Sequence, residues 1–170
     1  MNIDLASIGA TVKAIDLTLD PAAIDLKSED ARLTGKVEFT GESERVAGKP
    51  HIRGTIKTEV LLECTRCLEP VERKLEIPFE DVFVETGIGG ASEELEVAVE
   101  ALDEAPAPEG KVDLNEVIRE QILLALPDQV FCREDCKGLC PKCGANRNLI
   151  DCKCADDDID PRWAALKDLK

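Results

Sequence analysis

The chain is poor in aromatic residues and in histidine. Aromatic residues make up 3% of its 170 positions, as four Phe, one Trp and no Tyr, and His51 is the one histidine. With 44% hydrophobic residues a core can form, and it must be largely aliphatic. The shortage of stacking rings argues against sequence-specific recognition of unpaired bases. His51 alternates with Lys49 and Arg53, where we expect an exposed strand residue, although a single histidine can also complete a metal site.

The common catalytic motifs are missing as well. The sequence contains no Walker A loop, no GxGxxG motif after a strand and no HExxH motif. Carboxylates are plentiful, but nothing in the sequence places two of them in an apolar pocket, which paired-acid catalysis requires. We therefore expect a protein that is not an enzyme and has no small-molecule substrate.

Long apolar runs are also absent. The N-terminal residues lack the basic start and apolar stretch of a secretory signal, and no run approaches the length of about 20 residues that crosses a bilayer. We expect a cytoplasmic protein with no membrane partner, whose thiols stay reduced. The net charge of -15 argues against indiscriminate binding to nucleic acid or to anionic membranes. It leaves open a basic protein partner or a local basic patch.

What the chain does have is eight cysteines in four close pairs. Four pairs are what two tetrahedral thiolate sites require, and we expect two structural Zn²⁺ ions per chain. Disulfides, an iron–sulfur cluster and redox thiols are the alternatives; the reduced compartment, the spacing and the lack of a helix after either CxxC disfavour them. The pairs are Cys64/Cys67, Cys132/Cys136, Cys140/Cys143 and Cys152/Cys154.

The four pairs can be divided between two metals in three ways. We favour one site made of the first two pairs and a second made of the last two. The second site then closes a short loop at little entropic cost, whereas the first links distant parts of the chain, where a metal stabilises most. The pair Cys152/Cys154 is the weakest, because its one-residue spacer strains chelation and one of its sulfurs need not bind.

Alternating apolar and polar residues predict strands over residues 15–19, 33–40, 49–62 and 71–84. Pro78 cannot donate a ladder hydrogen bond and therefore predicts a bulge or an edge position in the last of these strands. The Cys64/Cys67 pair lies between the third and fourth strands, which predicts a metal-binding knuckle at the tip of a hairpin.

Two helix starts follow. Asp113 and Glu116 form a capping-box signature, and the apolar positions after them predict an amphipathic helix that ends at Pro127. Asp160 followed by Pro161 is a second start signal, with a short apolar stripe that predicts a terminal helix. Its stripe residues are Trp163, Leu166 and Leu169, of which Trp163 is expected to anchor the tail.

These elements predict an α+β fold with an antiparallel β-sheet of hairpins, one packed amphipathic helix and a Cys-rich C-terminal zinc-knuckle extension. We divide the chain into an α+β domain over residues 1–127 and an extension over residues 128–170. Residues 85–110 are predicted as an acidic loop, since they combine many carboxylates with Gly and Pro; residues 95–99 could add a short strand. This acidic arm is a candidate contact for a basic protein.

Two groups of basic residues stand out against the acidic background. The first follows one face of the third predicted strand and the knuckle at its end, and the second surrounds the C-terminal cysteines. Either group could contact RNA phosphates; for the strand group, cross-strand pairs with Glu72 or Glu76 are the alternative. The candidate nucleic-acid contacts are Lys49, Arg53, Lys57 and Arg66 in the first group, and Lys137, Lys142 and Arg147 in the second.

Four stretches together resemble the YceD-like family of large ribosomal RNA subunit accumulation proteins. They are LECTRCLEPV at 62–71, ILLALP at 122–127, CREDCKGLCPKCG at 132–144 and DPRWAALKDL at 160–169. The resemblance covers nearly the whole chain. It implies a non-enzymatic role in the synthesis, processing or accumulation of large-subunit ribosomal RNA, with that RNA, its precursor or a basic ribosomal protein as partner. An acidic adaptor or chaperone for a basic ribosomal protein, without direct RNA contact, is the alternative.

Overall fold

In the computed structural model, which describes residues 1–86, 104–154 and Arg162, eight strands and one α-helix make up the fold. Two single 3₁₀ turns lie at Leu5–Ser7 and Pro21–Ala23. The elements are β1 (Asn2–Asp4), β2 (Lys13–Leu19), β3 (Ala31–Leu33), β4 (Val37–Val46), β5 (Lys49–Glu63), β6 (Pro70–Thr86), β7 (Glu104–Pro108), β8 (Lys111–Asp113) and α1 (Leu114–Ala125). The α+β class is as predicted.

The main sheet has the strand order β2-β4-β5-β6-β7, and β3 pairs with the far half of β5. All of its pairings are antiparallel except that β7 runs parallel to β6. The sheet is therefore mixed, and the prediction of a purely antiparallel sheet is wrong. The segment that forms β7 reads Glu-Ala-Pro-Ala-Pro, which lacks strand-forming residues; it is placed at the end of the strand order, where missing N–H donors are tolerated.

The β5–β6 hairpin carries the cysteine knuckle. Its register runs from His51↔Val82 to Glu63↔Pro70 without interruption, so the predicted irregularity at Pro78 does not appear on the β5 side. On the other side of β6, β7 pairs only with residues 82–86, and Pro78 lies beyond that pairing. The inner face of β5 is buried as the alternation predicts, through Ile52, Ile56, Val60 and Leu62. The buried core thus continues along the hairpin to its tip, where Cys64 and Cys67 are also buried.

Helix α1 begins and ends where the sequence predicts. Asp113 caps its N-terminus by accepting a hydrogen bond from the Asn115 N–H at 3.1 Å, and the helix ends two residues before Pro127. It buries Leu114, Ile118 and Ile122 against the sheet. The small pair β1–β8 fixes the helix start, since the Leu114 N–H donates to the Met1 carbonyl at 2.9 Å. The chain that leaves α1 therefore has a defined direction towards the hairpin tip.

We call residues 128–154, which follow α1, the Cys-rich lobe. The predicted strand over residues 95–99 and the terminal helix with Trp163 lie outside the described residues. Within the stretch predicted as an acidic loop, residues 104–108 are β7, and β8 follows directly after it at residues 111–113. The boundary between residues 127 and 128 as a domain boundary stays a prediction.

One carboxyl group sits unfavourably between the sheet and the helix. Asp81 is half-buried on β6, and burial, followed by the nearby charge of Glu120 on α1, raises the pKa of its carboxyl group. A raised acid pKa in the folded state means that ionisation of Asp81 opposes folding. This penalty is complete above the folded-state pKa, where the group is charged in both states, and it disappears when both states are protonated.

We therefore expect Asp81→Asn to raise the thermal midpoint at pH 7. The gain should shrink as the pH falls through the pKa of Asp81 towards the value of about 4 for an unfolded Asp. Thermal unfolding from pH 4 to pH 8 measures both effects. Glu72→Gln, which removes one charge from the exposed face of the same strand, is the matched control. A lower midpoint for Asp81→Asn than for the unmodified protein at pH 7 would contradict the argument.

Candidate metal centres

The first cluster forms where the β5–β6 tip meets the Cys-rich lobe. The sulfurs of all four residues lie within 4.8 Å of one another. The Sγ atoms of Cys64 and Cys136 are 3.8 Å apart, and those of Cys67 and Cys132 are 3.6 Å apart. A tetrahedral Zn²⁺ with Zn–S bonds of about 2.3 Å gives S–S edges of about 3.8 Å, whereas a disulfide bond is about 2.05 Å. The cluster could therefore hold a metal ion of this kind.

Hydrogen bonds from the hairpin tip hold the lobe in place beside this cluster. Thr65 donates to the Val130 carbonyl through its N–H at 2.8 Å and through Oγ1 at 3.0 Å. Arg66 donates from Nη1 to the Cys136 carbonyl at 3.0 Å, and its guanidinium lies 4.2 Å above the Phe131 ring centroid. The Arg66 carbonyl in turn accepts from the Leu139 N–H at 2.9 Å. Arg66, a candidate RNA contact, thus has partners inside the lobe.

The second cluster is contained within the lobe. The sulfurs of Cys140, Cys143, Cys152 and Cys154 also lie within 4.8 Å of one another. The chain turns around Cys140, whose carbonyl accepts from the Gly144 N–H at 2.8 Å and whose N–H donates to the Ala145 carbonyl at 2.8 Å. The two clusters have the composition that the sequence favours. Both sulfurs of the closely spaced pair Cys152/Cys154 lie near enough to the other two to bind the same ion.

Two asparagines that were not predicted as site residues make hydrogen bonds around the first cluster. The Asn148 side chain donates from Nδ2 to the Cys136 sulfur at 3.3 Å and accepts the Lys137 N–H at 2.8 Å. The Asn146 side chain donates to Glu69 Oε1 at 3.3 Å, which ties the loop to the hairpin tip. Groups that hydrogen-bond to ligand sulfurs orient them and tune a metal site. The signal was the Asn-Arg-Asn sequence beside the knuckle, since Asn side chains readily bond nearby backbone.

The electrostatics of both clusters favour a cation. Burial raises the pKa of Cys64, but the backbone N–H groups of Cys132, Arg66 and Cys67 outweigh it and lower this pKa to about 6. Backbone N–H groups, first that of Cys143, likewise lower the pKa of Cys140 to about 6. The neighbouring sulfurs, first that of Cys143, raise the pKa of Cys154 to about 12. In the first cluster a hydrogen bond from Asn148 also lowers the pKa of Cys136. Both clusters therefore favour some thiolates over others, and a divalent cation would offset the repulsion between thiolates.

The strand group of candidate RNA contacts lies among carboxylates. Lys57 lies between Glu38 of β4 and Glu76 of β6 in the cross-strand register, and its Nζ is 3.1 Å from Glu76 Oε1. We call such a set an acid–base–acid row.

A second acid–base–acid row has the same form. In this row Arg53 lies between Glu42 of β4 and Glu80 of β6. Arg53 also forms ion pairs with Glu42 at 2.7 Å and with Glu44 at 3.0 Å. Glu42 raises the pKa of Arg53 through this hydrogen bond. Lys49 forms an ion pair with Glu104 of β7. These contacts are of the cross-strand kind that the sequence analysis weighed as the alternative.

The lobe group of cations is differently placed. Lys137, Lys142 and Arg147 are all exposed on the lobe. The Arg147 backbone N–H donates to the Gly138 carbonyl at 2.9 Å, which places Arg147 beside the first cluster, and Lys142 lies between two ligands of the second.

Among the described residues, no helix is long and apolar enough to cross a membrane.

The fold and the clusters define an α+β protein with two Cys₄ groups, one between the hairpin tip and the Cys-rich lobe and one within the lobe, each able to hold a metal ion. The family model described as "Large ribosomal RNA subunit accumulation protein YceD" matches residues 52–170, a range that includes all eight cysteines and α1. The chain belongs to this family, as the resemblance of its motifs predicts.

Relatives extend the match over nearly the full chain. An uncharacterized protein of Mycobacterium tuberculosis is 29% identical over 99% of this chain and 81% of its own length. The large ribosomal RNA subunit accumulation protein YCED homolog 1, chloroplastic, of Zea mays is 28% identical over 92% of this chain and 60% of its own length. The uncharacterized protein YlbN of Bacillus subtilis is 27% identical over 91% and 86%. No solved structure gives a significant match.

A pair of glycines tests how tightly the lobe is packed on the hairpin tip. Gly138 and Gly144 both have φ of +71°, but a Cβ at Gly138 would lie 2.9 Å from the Arg66 carbonyl oxygen, whereas one at Gly144 meets nothing within 4 Å. Both Ala variants should lose about 1 kcal/mol for the left-handed backbone. Gly138→Ala should lose clearly more, and should also release metal faster. Thermal unfolding and a colorimetric chelator measure this; equal losses would contradict the packing.

Proposed function

We propose that this protein is a non-enzymatic factor in the synthesis, processing or accumulation of large-subunit ribosomal RNA. The observation that carries the proposal is the family match over residues 52–170, since the family is described by an RNA that accumulates rather than by a reaction. The Zea mays relative carries the same description, and its name places it in the chloroplast. For this chain we propose the cytoplasm.

The metal in both clusters is proposed to be Zn²⁺ in a structural role. Four cysteines per site match its preference, and the two S–S distances of 3.6 and 3.8 Å in the first cluster fit tetrahedral edges. A closed shell of four sulfurs has no open position for a reacting water. In the first cluster the metal would fix the lobe to the β5–β6 tip. In the second it would hold the loop of residues 140–154 closed. The zinc would thus shape the surface that the lobe presents.

That surface is our candidate for RNA contact. Lys137, Lys142 and Arg147 project from the lobe, whereas Arg53 and Lys57 of the sheet are flanked by glutamates. A cation between two carboxylates leaves its row net negative, which repels phosphate, so the lobe is the better phosphate-binding surface. Low aromatic content fits contact through the RNA backbone better than base stacking.

The alternative is a chaperone or adaptor for a basic ribosomal protein, without RNA contact. The acid–base–acid rows and the net charge of -15 support it, because an acidic face attracts a cationic partner. In that case the metal clusters would serve only the fold. The two functions differ in which partner crosslinks to the protein.

The metal assignment predicts the effect of replacing Cys140 and Cys143 together by Ser. We expect the metal content of the reduced protein to fall from near two zinc ions per chain to near one, because only the second cluster loses its ligands. Elemental analysis and thermal unfolding check the result. Lys153→Ser, between Cys152 and Cys154, adds a serine without removing a sulfur and should keep both ions. A double variant with full zinc content and unchanged stability would refute this division of the ligands.

The RNA surface predicts a difference between two charge-matched double variants. Lys137→Gln with Arg147→Gln should weaken binding to a large-subunit RNA transcript. It should also reduce the slope of log affinity against log salt by about 0.7–0.9 for each phosphate that the variant no longer neutralises. Arg53→Gln with Lys57→Gln removes the same charge from the sheet and should change binding little. Filter binding over a salt series measures both.

The same pair of variants decides between the two functions in the cell. Tagged protein is sedimented from lysate through a gradient after crosslinking, and the attached RNA and protein are identified. Enrichment in large-subunit precursor fractions with RNA crosslinks that the lobe variant loses would support the proposal. Migration at the top of the gradient, with a basic ribosomal protein and no RNA attached, would favour the alternative. Equal loss in both variants would contradict the lobe as the contact surface.

A further inference from the structure

The two clusters differ in how far their sulfurs are shielded from solvent. In the first cluster three cysteines are buried, with Cys64 at 0%, Cys67 at 4% and Cys136 at 4% exposure. In the second only Cys140 is buried, at 5%, while Cys143 and Cys154 are exposed and Cys152 is intermediate. Chelators and oxidants react with thiolates that they can reach, so exposure favours reaction at the second cluster.

They also differ in what must open before a ligand can leave. The ligands Cys67 and Cys132 of the first cluster are 65 residues apart in sequence, and Thr65 and Arg66 bind the lobe across the junction. Releasing them requires the lobe to separate from the hairpin tip.

The second cluster opens more easily. Its ligands fall within residues 140–154, and the N–H groups of Leu149 and Ile150 return to Asn146 in the same loop at 3.0 Å each. Local loop opening costs less free energy than separation of packed elements.

We propose that the second cluster is an exchangeable metal site, opened by chelators or by peroxide, while the first cluster keeps its metal. The proposal rests on the metal binding proposed above for both clusters. Release of the second metal frees the segments that carry Lys142 and Lys153, while Arg147 stays hydrogen-bonded to Gly138 beside the first cluster. The basic surface of the lobe then loses its fixed shape, while the sheet and the hairpin tip stay folded.

The oxidative route balances with hydrogen peroxide as the oxidant. The Cys154 sulfur, which metal binding keeps as a thiolate, attacks one peroxide oxygen, the O–O bond breaks, and the leaving hydroxide takes up a proton to become water. Cys143, whose sulfur lies within 4.8 Å, then attacks the resulting sulfenic acid; an S–S bond forms and the S–O bond breaks, giving a second water after protonation. Two thiolates lose two electrons and peroxide gains two. A site left with two sulfurs releases its metal.

Cysteine labelling separates shielding by burial from shielding by the metal site. Cys132 belongs to the first cluster but is exposed like Cys143 and Cys154. We expect N-ethylmaleimide, followed by mass spectrometry of the zinc-loaded full chain, to label Cys143 and Cys154 at least about tenfold faster than Cys132; tenfold corresponds to about 1.4 kcal/mol in opening free energy. Equal labelling of Cys132 and Cys143 would overturn the proposal.

Metal release gives the second readout. With an excess of a colorimetric zinc chelator, alone or after peroxide, the absorbance should report one ion leaving quickly and one slowly. The double variant Cys152→Ser, Cys154→Ser should remove the fast phase and keep the slow one. If that variant does not fold, labelling of the unmodified chain still tests the proposal. If both ions leave at one rate, the exchangeable site is refuted, but the proposed zinc binding is not. A chain that binds no zinc after reduction and loading would instead overturn the proposed metal function.

Discussion

The first Cys₄ cluster requires four sulfurs from two distant parts of the chain to meet. The hairpin must be long enough to place Cys64 and Cys67 at the end of the core that meets the lobe, and α1 must end where the following residues can reach them. The unbroken β5–β6 register supplies the first condition, and the Asp113 cap with Pro127 supplies the second. The lobe, its basic surface and the second cluster all depend on this junction, because the hairpin tip is where the lobe is hydrogen-bonded to the sheet.

Charge is divided between the two parts that this junction joins. The sheet surrounds its central cations with glutamates, as around Lys57, so its exposed rows carry net negative charge. The lobe places Lys137, Lys142 and Arg147 on its surface. Exposed cations on the lobe beside an acidic sheet fit the proposed local contact with phosphate, because the sheet repels nucleic acid and limits nonspecific binding.

Much of the fold could be predicted from local patterns. The alternation in β5 and β6, the capping box of α1 and the knuckle at the hairpin tip all arise from neighbours in sequence. The parallel pairing of β7 could not, because it depends on contact between residues 82–86 and 104–108, and the two prolines of β7 disguise it. The Asn148 hydrogen bond to Cys136 was missed for a related reason, since a bond across twelve residues leaves no periodic pattern.

The sequence by itself predicted two groups of four thiols and favoured one of three ways to divide the pairs, because chelation depends on spacing and loop length; the structure brings the same four pairs together. The motifs of the sequence also identified the family. The surroundings of the basic residues were decided only by the tertiary structure. Arg53 and Arg66 look alike in the sequence, yet strand register places one between glutamates, and the lobe junction stacks the other on Phe131. Charge acts through distance in space, and distances between strands and across the junction exist only after folding.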